Sequence, residues 1–303
     1  MVLRRRYGKA IWIDLETPSR DEVRAVMREF DIDDRVEDEI ISPTSYPFII
    51  TFPSYVYAIL HFPTASFEGN PKDQEIDFII GKDFIITCRY EAIDSIYNLH
   101  KVLEAENLLG VEVSRVPLLL ERILRYLYTV IGHETEDIAH RLERIEREIF
   151  TGHERKVVRA ISEVGRTLLR FGTTLDHHAD ALSQLMEVLA SPHFFGKQFN
   201  EYTVRIKAER DHAAHLIRSY RAVATELRDT NDSLLSTSQN EVMKKLTIMA
   251  FVTFPLSLIA GIFGMDTIYT PLVGVPHDFW IVTGFMFLLA FSFFCYFKIK
   301  RWI

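Results

Sequence analysis

The run Leu246–Met265, LTIMAFVTFPLSLIAGIFGM, decides how the rest of the chain is interpreted. It contains no charged residue, and its length matches the ~20 residues that a helix needs to cross a hydrocarbon core. Thr247, Thr253 and Ser257 place small polar groups on this apolar segment, and Asp266 follows it directly. An apolar helix that has a polar seam and ends on a carboxylate is typical of the wall of an ion pathway.

A second charge-free run, Phe279–Phe297, has Trp280 at its start and Tyr296 near its end, which suits the aromatic belt of a membrane interface. The basic residues that flank the two runs are Lys244, Lys245, Lys298, Lys300 and Arg301. The loop 266–278 contains no Lys or Arg, so the positive-inside rule places both termini in the cytoplasm. These flanks favour a multi-pass protein of the plasma (inner) membrane over two core helices of a soluble protein.

The composition of the 303 residues limits the other functions that the chain can have. The net charge of -7 argues against nucleic acid as a partner, because phosphate binding needs a basic face. The two cysteines, Cys88 and Cys295, lie far apart and give no disulfide or zinc signal. The basic start, MVLRRRYGKA, has no apolar stretch after it, so no cleaved signal peptide is expected. Nucleotide-binding loops and catalytic triads are absent from the sequence, and we expect no enzyme.

Residues 1–115 mix strand and helix patterns and predict a compact cytoplasmic α/β domain. The predicted strands are Ala10–Leu15, Pro47–Phe52, Tyr55–Phe62, Glu75–Ile80 and Phe84–Arg89. The predicted helices are Pro18–Phe30, with Thr17 as N-cap, Arg35–Ile41 and Glu91–Ala105.

Residues 116–245 have a helical pattern almost throughout. Leu118–Phe150 and His153–Ala190 predict an antiparallel pair of long helices. From Gln198 no proline occurs until Pro255, which predicts one helix that runs on into the membrane over roughly 100 Å. Such a helix needs partner helices along its length.

The predicted fold class is therefore α+β: a mixed α/β domain, a helical pair, and a stalk helix that continues into the first of two C-terminal transmembrane helices. Residues 246–303 form the transmembrane domain, with spans at 246–265 and 279–297, an external loop at 266–278 and a basic tail at 298–303.

Two spanning helices satisfy their own backbones but enclose no water-filled lumen, so a transport function requires several copies around an axis. Steps of three and four residues along the stalk define one face, whose members are Thr230, Ser233, Thr237, Asn240, Met243, Thr247, Ala250, Phe254, Ser257, Gly261 and Gly264. This face is polar on the cytoplasmic side and apolar near Met243, which favours a pore lining. Close helix packing by the small residues is the alternative.

The segment Asn240–Pro271, NEVMKKLTIMAFVTFPLSLIAGIFGMDTIYTP, closely resembles the CorA family of divalent-cation (magnesium and cobalt) transporters. The resemblance extends over the whole chain and includes the basic tail, KIKRWI. It implies a funnel-shaped homopentamer in contact with membrane lipid. In such an assembly the first transmembrane helix lines the pore and the second lies outside it. The implied cargo is hydrated Mg²⁺, with Co²⁺ and Ni²⁺ as further candidates.

The resemblance also implies roles for individual residues. The family's Gly-Met-Asn signature, at the external pore mouth, falls on Gly264, Met265 and Asp266. A polar ring and a hydrophobic constriction in the cytoplasmic half of the pore fall on Asn240, Met243 and Leu246. Phe254 and Ser257 correspond to further pore-lining positions. The helical face places Thr247 at the level of the constriction, whereas the resemblance places Leu246 there. We assign the constriction to Leu246.

Asp266 departs from the family, which has asparagine at this position. A pentamer would carry a ring of up to five carboxylates there, with Asp278 as a possible further contributor. The ring either concentrates divalent cations at the mouth or holds them too tightly for flux. The alternatives left open are a ZntB-type transporter that carries Zn²⁺, which Met265 disfavours, and a variant that does not conduct.

In the family, cytoplasmic divalent ions bound between protomers hold the closed state. The acidic candidates for this regulatory role are Asp73, Asp77, Glu91, Asp94, Glu201, Glu209 and Asp211. The histidine pairs His177–His178 and His212 with His215 are interpreted as solvated surface residues rather than as zinc ligands.

Overall fold

A computed structural model describes residues 1–44, 46–64, 73–91, 93–108, 114–152, 154–265, 277–300 and 302. The chain divides into two compact units, Met1–Arg228 and Asp229–Ile303. The boundary falls within a helix that is continuous on both sides of it.

The first unit is built on a six-stranded mixed sheet with the order β1-β2-β6-β5-β4-β3. Its strands are β1 (Val2–Tyr7), β2 (Ala10–Glu16), β3 (Phe48–Thr51), β4 (Tyr55–Phe62), β5 (Gln74–Gly81) and β6 (Phe84–Arg89). Strands β2 and β6 pair in parallel, and the other neighbours pair antiparallel. The three central strands β6, β5 and β4 are buried along nearly all their length, which explains the apolar runs at 84–86, 78–80 and 55–60.

Strand β1 was not predicted, because Arg4, Arg5 and Arg6 hide the alternation of a strand. The strand forms one edge of the sheet, where charged side chains can reach solvent. Arg4 pairs with Glu29, and Arg5 pairs with Glu104. The basic N-terminus is therefore a paired edge strand.

The turn between β1 and β2 needs a glycine. Gly8 has a φ of +55°, and a Cβ atom there would lie 2.8 Å from the Cα of Ser114. Both the backbone angle and the close approach of the chain before the first long helix exclude a larger residue.

Helix α1 (Arg20–Glu29) has Ser19 as its N-cap, so the predicted N-cap at Thr17 is wrong. The Ser19 hydroxyl accepts a hydrogen bond from the Glu22 backbone N–H at 3.3 Å, and the Glu22 carboxylate accepts one from the Ser19 N–H at 2.8 Å. This reciprocal capping box satisfies two backbone donors, which Thr17 cannot do from two residues earlier.

Helix α1 is followed by a short helix, a helix of medium length and three long helices. These are α2 (Asp34–Glu39), α3 (Asp94–Leu108), α4 (Val116–Phe150), α5 (Glu154–Leu189) and α6 (Asn200–Phe263), the last preceded by a 3₁₀ turn at Lys197–Phe199. Helices α4 and α5 pack against each other, and α5 also packs on β3 and β4. The long helices predicted from periodicity are thus confirmed within a few residues of their predicted ends.

The second unit contains the end of α6 and the final helix, α7 (Asp278–Ile299). Both helices are long and apolar enough to cross a membrane by length and composition. Large apolar side chains such as Phe254, Phe287 and Phe291 are exposed on them by 73%, 73% and 68%. An aqueous surface would not tolerate so much exposed apolar area, so lipid or other protein must cover it.

Candidate functional site

The predicted pore-lining residues of the membrane segment and lower stalk all lie on α6. They are Asn240, Met243, Leu246, Thr247, Ala250, Phe254 and Ser257. Met243, Leu246 and Phe254 are exposed by 60%, 53% and 73% within the single chain. Because α6 is an unbroken helix, the 3.6-residue repeat places these side chains along one stripe. These side chains could therefore line the central axis of an assembly in which several copies of α6 surround it.

The small polar residues of α6 bond to their own helix. The Thr247 hydroxyl donates to the Met243 carbonyl at 2.8 Å, and the Thr237 hydroxyl donates to the Ser233 carbonyl at 2.9 Å. These bonds lower the cost of a hydroxyl on an apolar helix, because the donor is satisfied without a partner from outside. The oxygen lone pairs remain available as acceptors for water or a hydrated cation.

The signature glycine closes the end of α6. The Gly264 N–H donates to the Ala260 carbonyl at 2.9 Å, and the Met265 N–H donates to the Ile262 carbonyl at 3.3 Å. A Cβ atom on Gly264 would lie 2.9 Å from the Ala260 oxygen, so a larger residue would force the backbone apart. Asp266 and the loop as far as residue 276 lie outside the described residues, as does the side chain of Asp278.

Three of the acidic regulatory candidates are bound to groups of their own chain. Asp73 accepts from the Arg170 guanidinium at 2.7 Å and from the Thr174 hydroxyl. Glu209 accepts from the Thr129 hydroxyl at 3.2 Å and lies 3.7 Å from Arg125, and Asp211 pairs with Arg210. Glu91 and Glu201 are exposed, and the side chain of Asp94 is outside the described part of the chain.

Asp77 is fully buried in the sheet, on β5. The Tyr57 hydroxyl donates to its carboxyl group at 2.8 Å. Burial, followed by the nearby charge of Glu75, raises the pKa of Asp77 well above its ordinary value. The shift favours the protonated form of Asp77, which would have to lose its proton before the carboxyl bound a cation. Among the described residues, no group of three or more His, Cys, Asp or Glu side chains is placed to hold a metal ion.

A buried ion pair that sequence reasoning missed joins the parallel strands β2 and β6. The Arg89 guanidinium lies 2.9 Å from one Asp14 carboxylate oxygen, and the Thr87 hydroxyl donates to the other at 2.7 Å. Asp14 and Arg89 are only 1% and 4% exposed. Burial raises the pKa of Asp14, but the His100 ring, 3.8 Å away, and the hydrogen bonds from Arg89 outweigh this effect and hold that pKa below its ordinary value. Asp14 is thus an ionised group in the core.

The comparison with protein families settles which family shares this architecture. The family described as "CorA-like Mg2+ transporter protein" matches residues 7–301. The chain belongs to the CorA family. The resemblance seen in the sequence is thereby confirmed over nearly the whole length.

Individual CorA proteins show the same likeness at low sequence identity. The cobalt/magnesium transport protein CorA of Methanocaldococcus jannaschii is 23% identical over 295 residues, which cover 97% of this chain and 92% of that protein. The cobalt/magnesium transport protein CorA of Thermotoga maritima is 25% identical over 301 residues, which cover 96% and 83%.

Solved structures confirm the fold class. The complete structure of the CorA magnesium transporter from M. jannaschii has a TM-score of 0.85 at 23% identity, over 97% of this chain and 92% of that one. The full-length CmaX protein has a TM-score of 0.73 at 15% identity, over 97% and 89%.

His178 of this CorA-family chain is fully buried, so its interpretation as a solvated surface residue is wrong. Its Nδ1 lies 3.1 Å from the Tyr128 hydroxyl, and its ring meets Phe62 edge to face. The charged stretch around it hid the fact that this face of α5 packs on the sheet. Burial lowers the pKa of His178 to about 3.

We expect acid to destabilise the protein through His178. The unfolded chain takes up a proton near pH 6.5, while folded His178 stays neutral down to about pH 3. The stability tied to neutral His178 is therefore present above pH 6.5 and is lost as the pH falls, by about 2 kcal/mol between pH 7 and 5.

His178→Gln should remove this part of the pH dependence, and His177→Gln, the same change at the exposed neighbour, should keep it. The measurement is the unfolding midpoint of the detergent-solubilised variants at pH 5 and 7. Equal acid shifts in the two variants would contradict the assignment.

Proposed function

We propose that the chain is the subunit of a membrane channel that carries hydrated divalent cations, with Mg²⁺ as the main cargo. The match of residues 7–301 to the CorA-like Mg²⁺ transporter family carries this proposal. The names of the two CorA relatives, both cobalt/magnesium transport proteins, support Co²⁺ as a second cargo. Ni²⁺ is a further candidate, since it resembles Co²⁺ in charge and ligand preference.

The working assembly is proposed to be a homopentamer. In the part of the chain that the structure describes, α6 and α7 are the two helices long and apolar enough to span a membrane, and two helices cannot enclose a water-filled path. The exposed Met243, Leu246 and Phe254 side chains support an axis on this stripe, where copies of α6 would cover them. The 64 residues of α6 extend over about 96 Å, and a bundle of copies would stabilise them.

The cation path is proposed to follow the stripe on α6. Asp266, with Gly264 and Met265, attracts the hydrated ion at the external mouth, and the ion then passes Ser257 and Phe254. Ala250 and Thr247 leave room for water further in. Met243 and Leu246 form an apolar constriction that closes by losing its water, and Asn240 forms a polar ring below it.

The orientation and domain limits follow from the same proposal. Residues 1–115 form the cytoplasmic α/β domain and 116–245 the cytoplasmic helices. Residues 246–303 form the transmembrane domain of a plasma (inner) membrane protein with both ends in the cytoplasm. The lysines next to the spans and the lack of Lys and Arg in the loop 266–278 support this orientation.

Regulation by cytoplasmic Mg²⁺ is proposed to hold the closed state, with Asp73, Asp77, Glu209 and Asp211 as candidate ligands. A metal ion at Asp73 would compete with Arg170, and at Asp77 it would compete with a proton. Asp211 is 64% exposed at its side chain, which makes it the most accessible of the four for an ion shared with another copy.

Uptake of Mg²⁺, Co²⁺, Ni²⁺ and Zn²⁺ into liposomes that contain the purified protein tests the function. We expect Mg²⁺ and Co²⁺ flux down a gradient without an energy source, and Zn²⁺ flux without Mg²⁺ flux would contradict the proposal. Asp266→Asn, measured beside it, should keep Mg²⁺ flux, because the amide oxygen still meets the ion's water shell. Flux in this variant alone would show that the Asp266 form does not conduct.

A further inference from the structure

A crevice lies between α6 and α7 at the end of the spans where the lysines cluster. Its volume is about 610 Å³. The residues that line it are Phe251, Ser292, Phe293, Tyr296, Phe297, Lys300 and Trp302. The walls are thus mainly aromatic, and Lys300 provides a charge at one end.

The crevice is held in shape by contacts within the second unit. Phe297, only 5% exposed, lies 6.5 Å from Phe251 and 5.9 Å from Trp302, ring centre to ring centre, and is nearly parallel to Trp302. The Trp302 backbone N–H donates to the Phe297 carbonyl at 2.9 Å. The Lys244 ammonium lies 6.0 Å from the Trp302 ring centre. The site therefore exists before any ligand enters.

Lysines dominate the charge near the crevice. Lys300 lines it, Lys244 lies beside its Trp302 ring, and Lys245 and Lys298 are close to these two in sequence. Glu241 is an acidic residue one turn before Lys244 on α6. Trp302 and Tyr296 are the residue types that lie at headgroup depth in a bilayer, where phosphate groups are found. An apolar crevice with ammonium groups at headgroup level fits a molecule with apolar chains and an anionic head.

We propose that this crevice binds one anionic phospholipid per chain. The glycerol region and the first part of the acyl chains lie against Phe251 and Phe293, and the headgroup phosphate lies between Lys244 and Lys300. The acyl chains continue into the surrounding bilayer. A choline headgroup would bring a positive charge toward the two lysines, so a neutral phospholipid binds more weakly. This inference rests on the membrane insertion in the proposed function.

The bound lipid would lie beside the proposed constriction. Lys244 and Phe251 are seven residues apart and share one face of α6. Met243 and Ala250 lie about 100° away around the helix, on the pore stripe. The lipid therefore supports the flank of the helix segment that carries Met243 and Leu246. It is positioned to influence how that segment moves.

The amount of lipid that the purified protein retains measures binding at the crevice directly. The full-length protein is reconstituted in phosphatidylcholine with a minor share of phosphatidylglycerol, extracted in detergent, and its retained lipids are counted by native mass spectrometry. We expect about one phosphatidylglycerol per chain. Lys244→Gln combined with Lys300→Gln should weaken retention about 25-fold, because each lysine contributes roughly fivefold. Lys298→Gln removes a charge from the end of α7, outside the crevice, and this variant should retain the lipid.

Equal retention of the two phospholipids, or equal retention by the double variant and Lys298→Gln, would overturn the site. Displacement of the lipid by inorganic phosphate at millimolar concentration would also overturn it, because the ligand would then be a free anion. Phe293→Ala should lower retention while both lysines remain. Mg²⁺ flux in the same liposomes separates the two proposals, since flux without lipid retention refutes only this one.

Discussion

Leu246→Asn should make the channel conduct when it ought to be closed. Leucine and asparagine are similar in size, but the amide binds water and would keep the apolar constriction hydrated. Leu246 is 53% exposed within its chain, so the substitution removes no packing from the core of the subunit. We expect Mg²⁺ uptake at high cytoplasmic Mg²⁺ to rise by about tenfold or more. Uptake of isotopically labelled Mg²⁺ into liposomes whose interior, on the cytoplasmic side of the channel, holds a high concentration of unlabelled Mg²⁺ measures it.

Val252→Thr provides the matched control. Val252 is also partly exposed within its chain, and the change again replaces an apolar group by a polar one of similar size. It lies about 120° around α6 from Leu246 and on the opposite side of the helix from Met243, away from the pore stripe. Its closed-state flux should equal that of the unaltered protein. If both variants leak equally, or neither does, Leu246 is not part of the gate.

Arg89→Met should cost about 3–5 kcal/mol of stability, because it leaves the Asp14 carboxylate buried without its cation. Asp14 is 1% exposed and cannot regain water without opening the sheet between β2 and β6. Glu16, 2.6 Å from the same guanidinium, would lose its partner as well. Denaturant unfolding of the solubilised protein, followed by tryptophan fluorescence, measures the loss through the buried Trp12 nearby.

Arg4→Met is the control at an exposed ion pair. Arg4 pairs with Glu29 on the surface, and such a pair contributes only about 0–1 kcal/mol. Adding Asp14→Asn to Arg89→Met should recover much of the loss, because no uncompensated charge then remains in the core. Equal unfolding midpoints for the two single variants would show that the Asp14–Arg89 pair is not desolvated as its burial indicates.

The helices and central strands could be predicted because their signals are local. Strands β4 and β6 begin and end where the sequence predicts, since each opens on an apolar run directly after turn residues. Helix α6 follows from the absence of proline between Gln198 and Pro255. Strand β1 was missed because an edge strand tolerates arginines, and the capping box at Ser19 lay two residues beyond the predicted cap.

The pore stripe could likewise be proposed from the sequence, because positions on one helix are related by a fixed rotation. The structure places these residues on a single continuous helix, while their roles in conduction stay predictions. Asp77 shows the limit of this reasoning. Its carboxyl looks like a cation ligand in the sequence, but the pairing of β4 and β5 buries it beside Tyr57.

The sequence by itself determined the two apolar runs long enough to span a membrane and the long helices, because length and periodicity act over neighbouring residues. The family followed from the resemblance of one continuous segment, Asn240–Pro271. Only the tertiary structure decided which polar groups are buried. Asp14 meets Arg89 across 75 residues of chain, and His178 meets Tyr128 across 50. Such contacts depend on which faces of distant elements pack together, and burial then sets their charge. The physical reason is that the desolvation cost of a charged group depends on its surroundings in the folded chain, and the type of residue does not specify those surroundings.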